Sequence, residues 1–232
     1  LIPGIVYRVD RRWHRIEGRL DESYVELIEE ISRGESREYK DMVIQWALMF
    51  EQKPPSVRRV AIDVEVYSPE EGRVPDPEKA PYPVISVALA DNSGRAKVLL
   101  LYRENVAFEG EIPEGVEVEI FDDEISLLLE LFRELESYPV VLTFNGDSFD
   151  LPYIYNRLLN LGVDPDLIPI EIHEDKVTFK HMLHVDLYKL FGIKALQVYA
   201  FGGKYRELTL DAIAEALLGR GKLKLDTSVP KA

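Results

Sequence analysis

The sequence predicts an α/β domain, a mixed sheet flanked by helices, with a small α+β piece in front of it. Three observations predict this. From Val60 onward several segments carry apolar residues at period two, the mark of strands with one face turned inward. Other segments space them helically, as in Leu128, Phe132 and Leu135 or Tyr153, Ile154 and Leu158. The apolar run Val140 to Phe144 passes through Asn145-Gly146-Asp147 straight into one of these helices, and strand–turn–helix is the building unit of an α/β sandwich. With 232 residues the chain can bury roughly 70 to 75% of its unfolded surface, enough for a real core.

In chain order, Ile5 to Val9 and Trp13 to Glu17 read as a hairpin around Asp10, Arg11 and Arg12. A helix is predicted over Ser23 to Ser32. A second carries Tyr39, Met42, Val43, Trp46 and Phe50 at helical spacing, an aromatic stripe of the kind that forms a core, and stops at Pro54 and Pro55. These prolines mark the expected boundary between a first domain, 1–56, and a second, 57–232. Val60, Ile62, Val64 and Val66 then alternate with Ala61, Asp63, Glu65 and Tyr67. A proline-rich loop leads to a strand at Val84 to Ala90, an Asn92-Ser93-Gly94 turn and a third strand at Lys97 to Leu101, which together predict a meander. A helix capped by Asp122 or Asp123 should turn Ile125, Leu128, Leu129, Phe132 and Leu135 inward and end before Pro139. Val177 to Leu187 alternates like one strand. A last helix over Asp211 to Leu218 has Thr209 as its cap and Gly219 as its stop.

Composition narrows the chemistry. No cysteine is present, which excludes disulfides and thiolate metal sites and leaves carboxylates and four histidines as candidate ligands. Oxygen ligands favour magnesium or manganese. High charge with few thermolabile residues suits a protein that works hot. No apolar run approaches the roughly 18 residues of a membrane span, and no charged-then-apolar leader follows Leu1, which predicts a cytoplasmic protein. The net charge of −14 argues against a general nucleic-acid binder, but the charge is unevenly spread. Twelve acids stand against Arg133 between Glu104 and Glu136, and six Lys or Arg stand against Asp186 between Lys176 and Arg206. One face would repel DNA and another attract it, unless both are ordinary solvated surface.

Asp63 and Glu65 lie two apart on a strand, on one face, close enough to share a cation. The apolar residues between and around them predict a buried central strand, where two like charges are costly unless a cation neutralises them. Asp150 falls where the Val140 strand gives way to a helix, at the carboxyl edge of the sheet. It could equally be a helix N-cap, with Pro152 in the first turn.

Ala61-Ile62-Asp63-Val64-Glu65 and Thr143-Phe144-Asn145-Gly146-Asp147-Ser148-Phe149-Asp150 resemble the first and second exonuclease motifs of family B DNA polymerases, at a matching separation. Arg73-Val74-Pro75-Asp76-Pro77, Pro83-Val84-Ile85-Ser86-Val87 and His184-Val185-Asp186-Leu187-Tyr188 resemble archaeal members in particular. The resemblance implies a ribonuclease H-like fold, with residues 1–56 as the end of the preceding N-terminal domain. It also implies removal of nucleotides from a single-stranded 3′ end of primer DNA with two Mg2+ or Mn2+ ions. By resemblance Asp63 bridges the two ions, Glu65 holds the one that activates water and Asp150 serves the second. Asn145 and Phe149 would seat the terminal nucleotide, and Asp186, Tyr188 and Lys204 would line the path of the strand. In the same region Tyr188, Phe191, Tyr199, Phe201 and Tyr205 interleave with Lys189, Lys194, Lys204 and Arg206, the mixture that single-strand binding uses, although structural packing would use the same aromatics.

The sequence departs from the family at one point: no Tyr is followed four residues later by Asp, so the third motif, Tyr-x-x-x-Asp, is missing. The expectation is a fragment of a polymerase chain, inactive by itself, whose remainder supplies the fourth ligand. Three rival readings stay open. A histidine-type nuclease would use His181 and Asp186; a zinc site would draw on His173, His181 and His184; a non-catalytic module would bind only DNA or a partner subunit.

Overall fold

The computed structural model describes residues 19–51, 56–69, 73–104 and 112–221. The hairpin expected over Ile5 to Glu17 and the Pro54-Pro55 boundary lie outside them. The described residues fall into two compact units, one ending at Ser56 and one starting at Val57.

In the first unit, helix α1 (Glu22–Ile31) opens on Asp21, whose carboxylate accepts from the Ser23 N–H, and α2 (Arg37–Glu51) follows a short turn. Among its described residues only Ile28, Ser32 and Leu48 are buried. The aromatic stripe expected to be core is instead exposed: Trp46 and Phe50 touch edge to face, and Tyr39 and Met42 also face outward. Helical spacing identified the helix, but two short helices have too little apolar surface between them to cover every side of the stripe.

The second unit is built on a six-stranded mixed sheet. Strands β1 (Arg59–Val66), β2 (Val84–Asp91) and β3 (Ala96–Leu101) form the expected antiparallel meander. Strand β4 (Val116–Phe121) adds parallel to β3 at one edge; β5 (Val140–Thr143) and β8 (Leu183–Asp186) add parallel beyond β1 at the other. Strand β4 falls inside the acidic stretch and has no counterpart in the sequence reading. The single strand expected over Val177 to Leu187 is two short ones. Strand β7 (Val177–Phe179) pairs antiparallel with β6 (Ile170–Ile172) in a separate two-stranded sheet, and β8 returns to the main one.

Helix α3 (Glu124–Leu135) starts on Asp123, whose carboxylate accepts from the Ser126 N–H at 2.8 Å. It buries Leu127, Leu128, Leu131, Phe132 and Leu135. Leu129, expected inward, is 51% exposed, because the buried face runs through 127/128, 131/132 and 135, and its centre lies about 130° away from it. Helix α4 (Asp150–Asn160) buries Leu151, Tyr153, Ile154 and Leu158 in the same core as Val60, Ile62 and Val64 of β1. The two helices are tied together by the Arg157–Glu124 pair, at 2.8 to 3.0 Å, and Glu124 also accepts from the Val84 N–H at 2.7 Å. Helix α5 (Leu187–Gly192) follows β8 directly. Helix α6 (Leu210–Leu218) has Thr209 as N-cap and ends on Gly219 at φ 69°, as expected. Among the described residues no helix is long and apolar enough to cross a membrane.

Candidate nuclease site

Strand β1 lies in the middle of the sheet, and its burial alternates strictly: Val60, Ile62 and Val64 are buried, Ala61, Asp63 and Glu65 exposed. The strand is central, as expected, but its carboxylates are not buried. They stand on the face opposite the packed helices, across from Ala88 and Ser86 of β2, whose small side chains leave room above them. Strand β5 pairs with β1 only as far as Ala61 opposite Leu142, so the stretch carrying Asp63 and Glu65 runs past the paired end of β5.

The chain leaving β5 turns sharply. Asn145 takes a left-handed φ of 67°, which Asn tolerates better than most residues. Gly146 packs on the Thr143 side chain so closely that a Cβ there would overlap it. Phe149 holds the N-cap position of α4 without a side-chain cap bond, which makes Asp150 the first residue of the helix rather than its cap. Asp150 is only 6% exposed. Burial pushes its carboxyl up to about 6, the charge of Asp63 adds to this, and Asp186 contributes less. The N–H groups of Asp150 and Val64 pull the other way. The fold thus places the Asp150 carboxylate against the Val64 N–H of β1 and within the influence of the Asp63 charge. It does not draw Glu65 into a tight triad: among the described residues no three acids or histidines lie close enough to hold a metal ion.

The residues expected along the DNA path have diverse surroundings. The Asp186 carboxylate is buried and accepts from the N–H groups of Asn145 at 2.8 Å, Asp147 at 3.1 Å and Tyr188 at 2.9 Å. It fastens the turn and caps α5. Phe149 is partly buried with its ring 5.5 Å from Tyr153. Tyr188 is exposed, edge-on to Phe144 at 5.8 Å, and Lys204 is exposed. Three members of the aromatic stripe, Phe191, Phe201 and Tyr205, pack on one another at 5.7 to 6.0 Å, while Tyr199 is 89% exposed. His181 is exposed between β7 and β8, His173 bonds Thr178 at 2.9 Å, and the His184 side chain is buried.

Sequence reasoning missed Asp147 as a structural centre. Its carboxylate accepts from the Val177 N–H at 2.6 Å and pairs with Lys189 at 2.6 Å. Strand β4, inside the acidic stretch, forms one edge of the sheet, and β8, inside the basic one, forms the other.

The model for the exonuclease domain of DNA polymerase family B matches residues 2–200. DNA polymerase 1 of Aeropyrum pernix is 53% identical over 232 residues, 99% of this chain and 24% of that protein. DNA polymerase 1 of Saccharolobus solfataricus is 47% identical over 99% of this chain and 26% of its own length. The DNA-directed DNA polymerase of Escherichia phage RB69 is 29% identical over 75% of this chain and 23% of its own. The chain thus spans about a quarter of the length of these archaeal relatives. With that family model covering residues 2–200 of the 232 and the archaeal relatives 47 to 53% identical along nearly the whole chain, the chain belongs to DNA polymerase family B, in its exonuclease domain.

Proposed function

We propose that this chain is the proofreading part of a DNA polymerase, acting in the cytoplasm at the nucleoid, and that the complete exonuclease domain cleaves the 3′-terminal phosphodiester of single-stranded DNA. One observation carries the reading. The buried Asp150 carboxyl is pushed up first by burial and then by the charge of Asp63, an arrangement that a divalent cation would relieve. Asp63 and Asp150 would hold that ion, with Glu65 completing the set from the same strand face. Bound Mg2+ or Mn2+, two ions in the complete site, would supply an activated water and stabilise the leaving 3′ oxygen. The protein's part would be orientation: β1 sets Asp63 and Glu65 on one strand face, and the 145–149 turn would carry Asp150 toward Asp63.

Asn145 and Phe149 flank Asp150 and would seat the terminal nucleotide; exposed Tyr188 and Lys204 would meet the strand leading to it. Asp186 supports this surface through the turn rather than by touching DNA. The histidine-type alternative loses ground here, since the Asp186 carboxylate is already taken up by three backbone N–H groups. A module that only binds DNA or a partner subunit would have no need of the Asp63–Asp150 pair.

No Tyr-x-x-x-Asp occurs in the 232 residues, so we propose that exonuclease activity requires polymerase sequence beyond them. The test is digestion of 3′-labelled single-stranded DNA with Mn2+ by this chain, by a longer polymerase chain and by the longer chain carrying Asp63→Ala. Activity only in the second is expected. Robust cleavage by the short chain would restore His181 and Asp186, and activity surviving Asp63→Ala would remove the metal reading.

A further inference from the structure

A buried polar network lies directly beneath the turn that carries Asp150, and its hub is His184. The side chain is 3% exposed. Its Nδ1 lies 2.9 Å from the Val177 carbonyl and its Nε2 2.8 Å from the Thr143 hydroxyl. A carbonyl can only accept, so Nδ1 carries the proton; in the neutral ring Nε2 then accepts from Thr143. Each bond leads to the turn by a different route. Thr143, with its hydroxyl held by His184, is the surface on which Gly146 rests without room for a Cβ. Val177, with its carbonyl held by His184, donates its N–H to the Asp147 carboxylate at 2.6 Å, and that carboxylate lies 3.4 Å from Nδ1 itself. Lys189 closes the network by bridging Asp147, at 2.6 Å, and the Asp175 carbonyl. Asp186 holds the turn from the other end of β8, through the Asn145 and Asp147 N–H groups. Strand pairing sets the spacing, with Val141 opposite His184 and Thr143 opposite Asp186.

We infer that His184 is a positioning residue: acting through Thr143 and Asp147, it fixes the 145–149 turn and thereby the place of the Asp150 carboxylate beside Asp63. This rests on the reading of Asp150 as a metal-holding group. A buried histidine that only filled space would be replaceable by another aromatic ring, and Phe179 already packs edge-on to it at 6.1 Å. A positioning histidine would not, because both ring nitrogens are used. Partners that orient metal-holding groups typically cost 10- to 100-fold in metal affinity when lost.

The experiment uses this chain with His184→Phe, Thr143→Val, the double variant and His184→Asn, which can keep a donor toward Val177. Amide hydrogen exchange at Asn145, Asp147 and Val177 is compared with Leu99 in β3, and Mn2+ affinity is read from the electron paramagnetic resonance of the free ion. Positioning predicts that His184→Phe speeds exchange at the three turn-linked amides by about tenfold or more while Leu99 stays as it was, and weakens Mn2+ binding by about 10- to 100-fold. The double variant should be little worse than His184→Phe alone, since the two residues act as one unit, and His184→Asn should recover part of the protection. Equal acceleration at all four amides, or unchanged exchange in His184→Phe, would overturn the inference. If the unsubstituted chain binds no Mn2+, the metal reading falls, and the exchange pattern still decides whether His184 holds the turn.

Discussion

Two places in the second unit gather carboxylates, and they are resolved in opposite ways. At the β3–β4 edge, Lys97 is 4% exposed and sits 2.6 Å from Glu119, 2.7 Å from Glu134 and 3.6 Å from both Glu117 and Glu130. Arg95 adds contacts of 2.7 Å to Glu134 and 3.0 Å to Glu117. The acids here come with their own cations. The hydrogen bond from Arg95 is the chief cause holding the Glu134 carboxyl down at about 2; burial opposes it and Lys97 reinforces it. Burial works against the charge on Lys97, but Glu119 and Glu134 outweigh it and hold the ammonium above its ordinary range. At the β1–α4 junction, burial and then the charge of Asp63 raise the Asp150 carboxyl to about 6. The first cluster is structure already neutralised. The second is where the proposed function would seat a cation, which would distinguish a binding site from an ion-pair network in so acidic a chain.

The contrast can be broken most severely at the site. Asp150→Ala in a longer, active polymerase chain should lower single-strand exonuclease turnover by ~10³-fold and leave nucleotide incorporation intact, measured by 3′-end release against primer extension. Lys97→Met comes next. It removes the cation from a buried network and should destabilise the fold by about 3 kcal/mol in urea unfolding, whereas replacing Asp63 should cost the fold little.

Acidity should move the two clusters in opposite directions. The folded-state pKa of Glu134 is depressed, so its stabilisation is full above the unfolded value of 4.5 and is lost as pH falls toward 2. That of Asp150 is raised from 3.8 to about 6, so stability present below pH 4 is lost as pH rises to 6 and stays lost above it. The loss is roughly 2 to 3 kcal/mol at about 1.4 kcal/mol per pH unit. Asp150→Asn should abolish that decline, as should Mg2+, in unfolding curves between pH 4 and 7. Arg133→Ala, at the solvent rim of the first cluster and 73% exposed, should change stability by less than about 0.5 kcal/mol.

Much of this was legible in the sequence. Alternation revealed β1, and the caps at Asp123 and Thr209 and the stop at Gly219 lie where their side-chain chemistry puts them. The strand–turn–helix around Asn145 to Asp150 was readable because each residue acts locally. What stayed hidden depends on partners distant in the chain. Strand β4 alternates Val116, Val118 and Ile120 with Glu117 and Glu119, but the acids read as solvated charge until Lys97 arrives from the neighbouring strand. The break between β7 and β8 needs the second sheet to explain it. Asp186 could be picked out by its motif yet not assigned its work, because its three N–H donors lie up to 41 residues away. The same holds for His184, whose contacts are created by the β5–β8 register.

Asp63 and Asp150 are proposed to share a divalent cation, and the Asp150 carboxyl would report on it directly. Its 13C resonance should be followed against pH in this chain, without and with Mg2+. The account predicts a midpoint near 6 without the ion, moved down both by Mg2+ and by Asp63→Asn. A midpoint in the ordinary carboxylate range, the same with and without Mg2+, would contradict it.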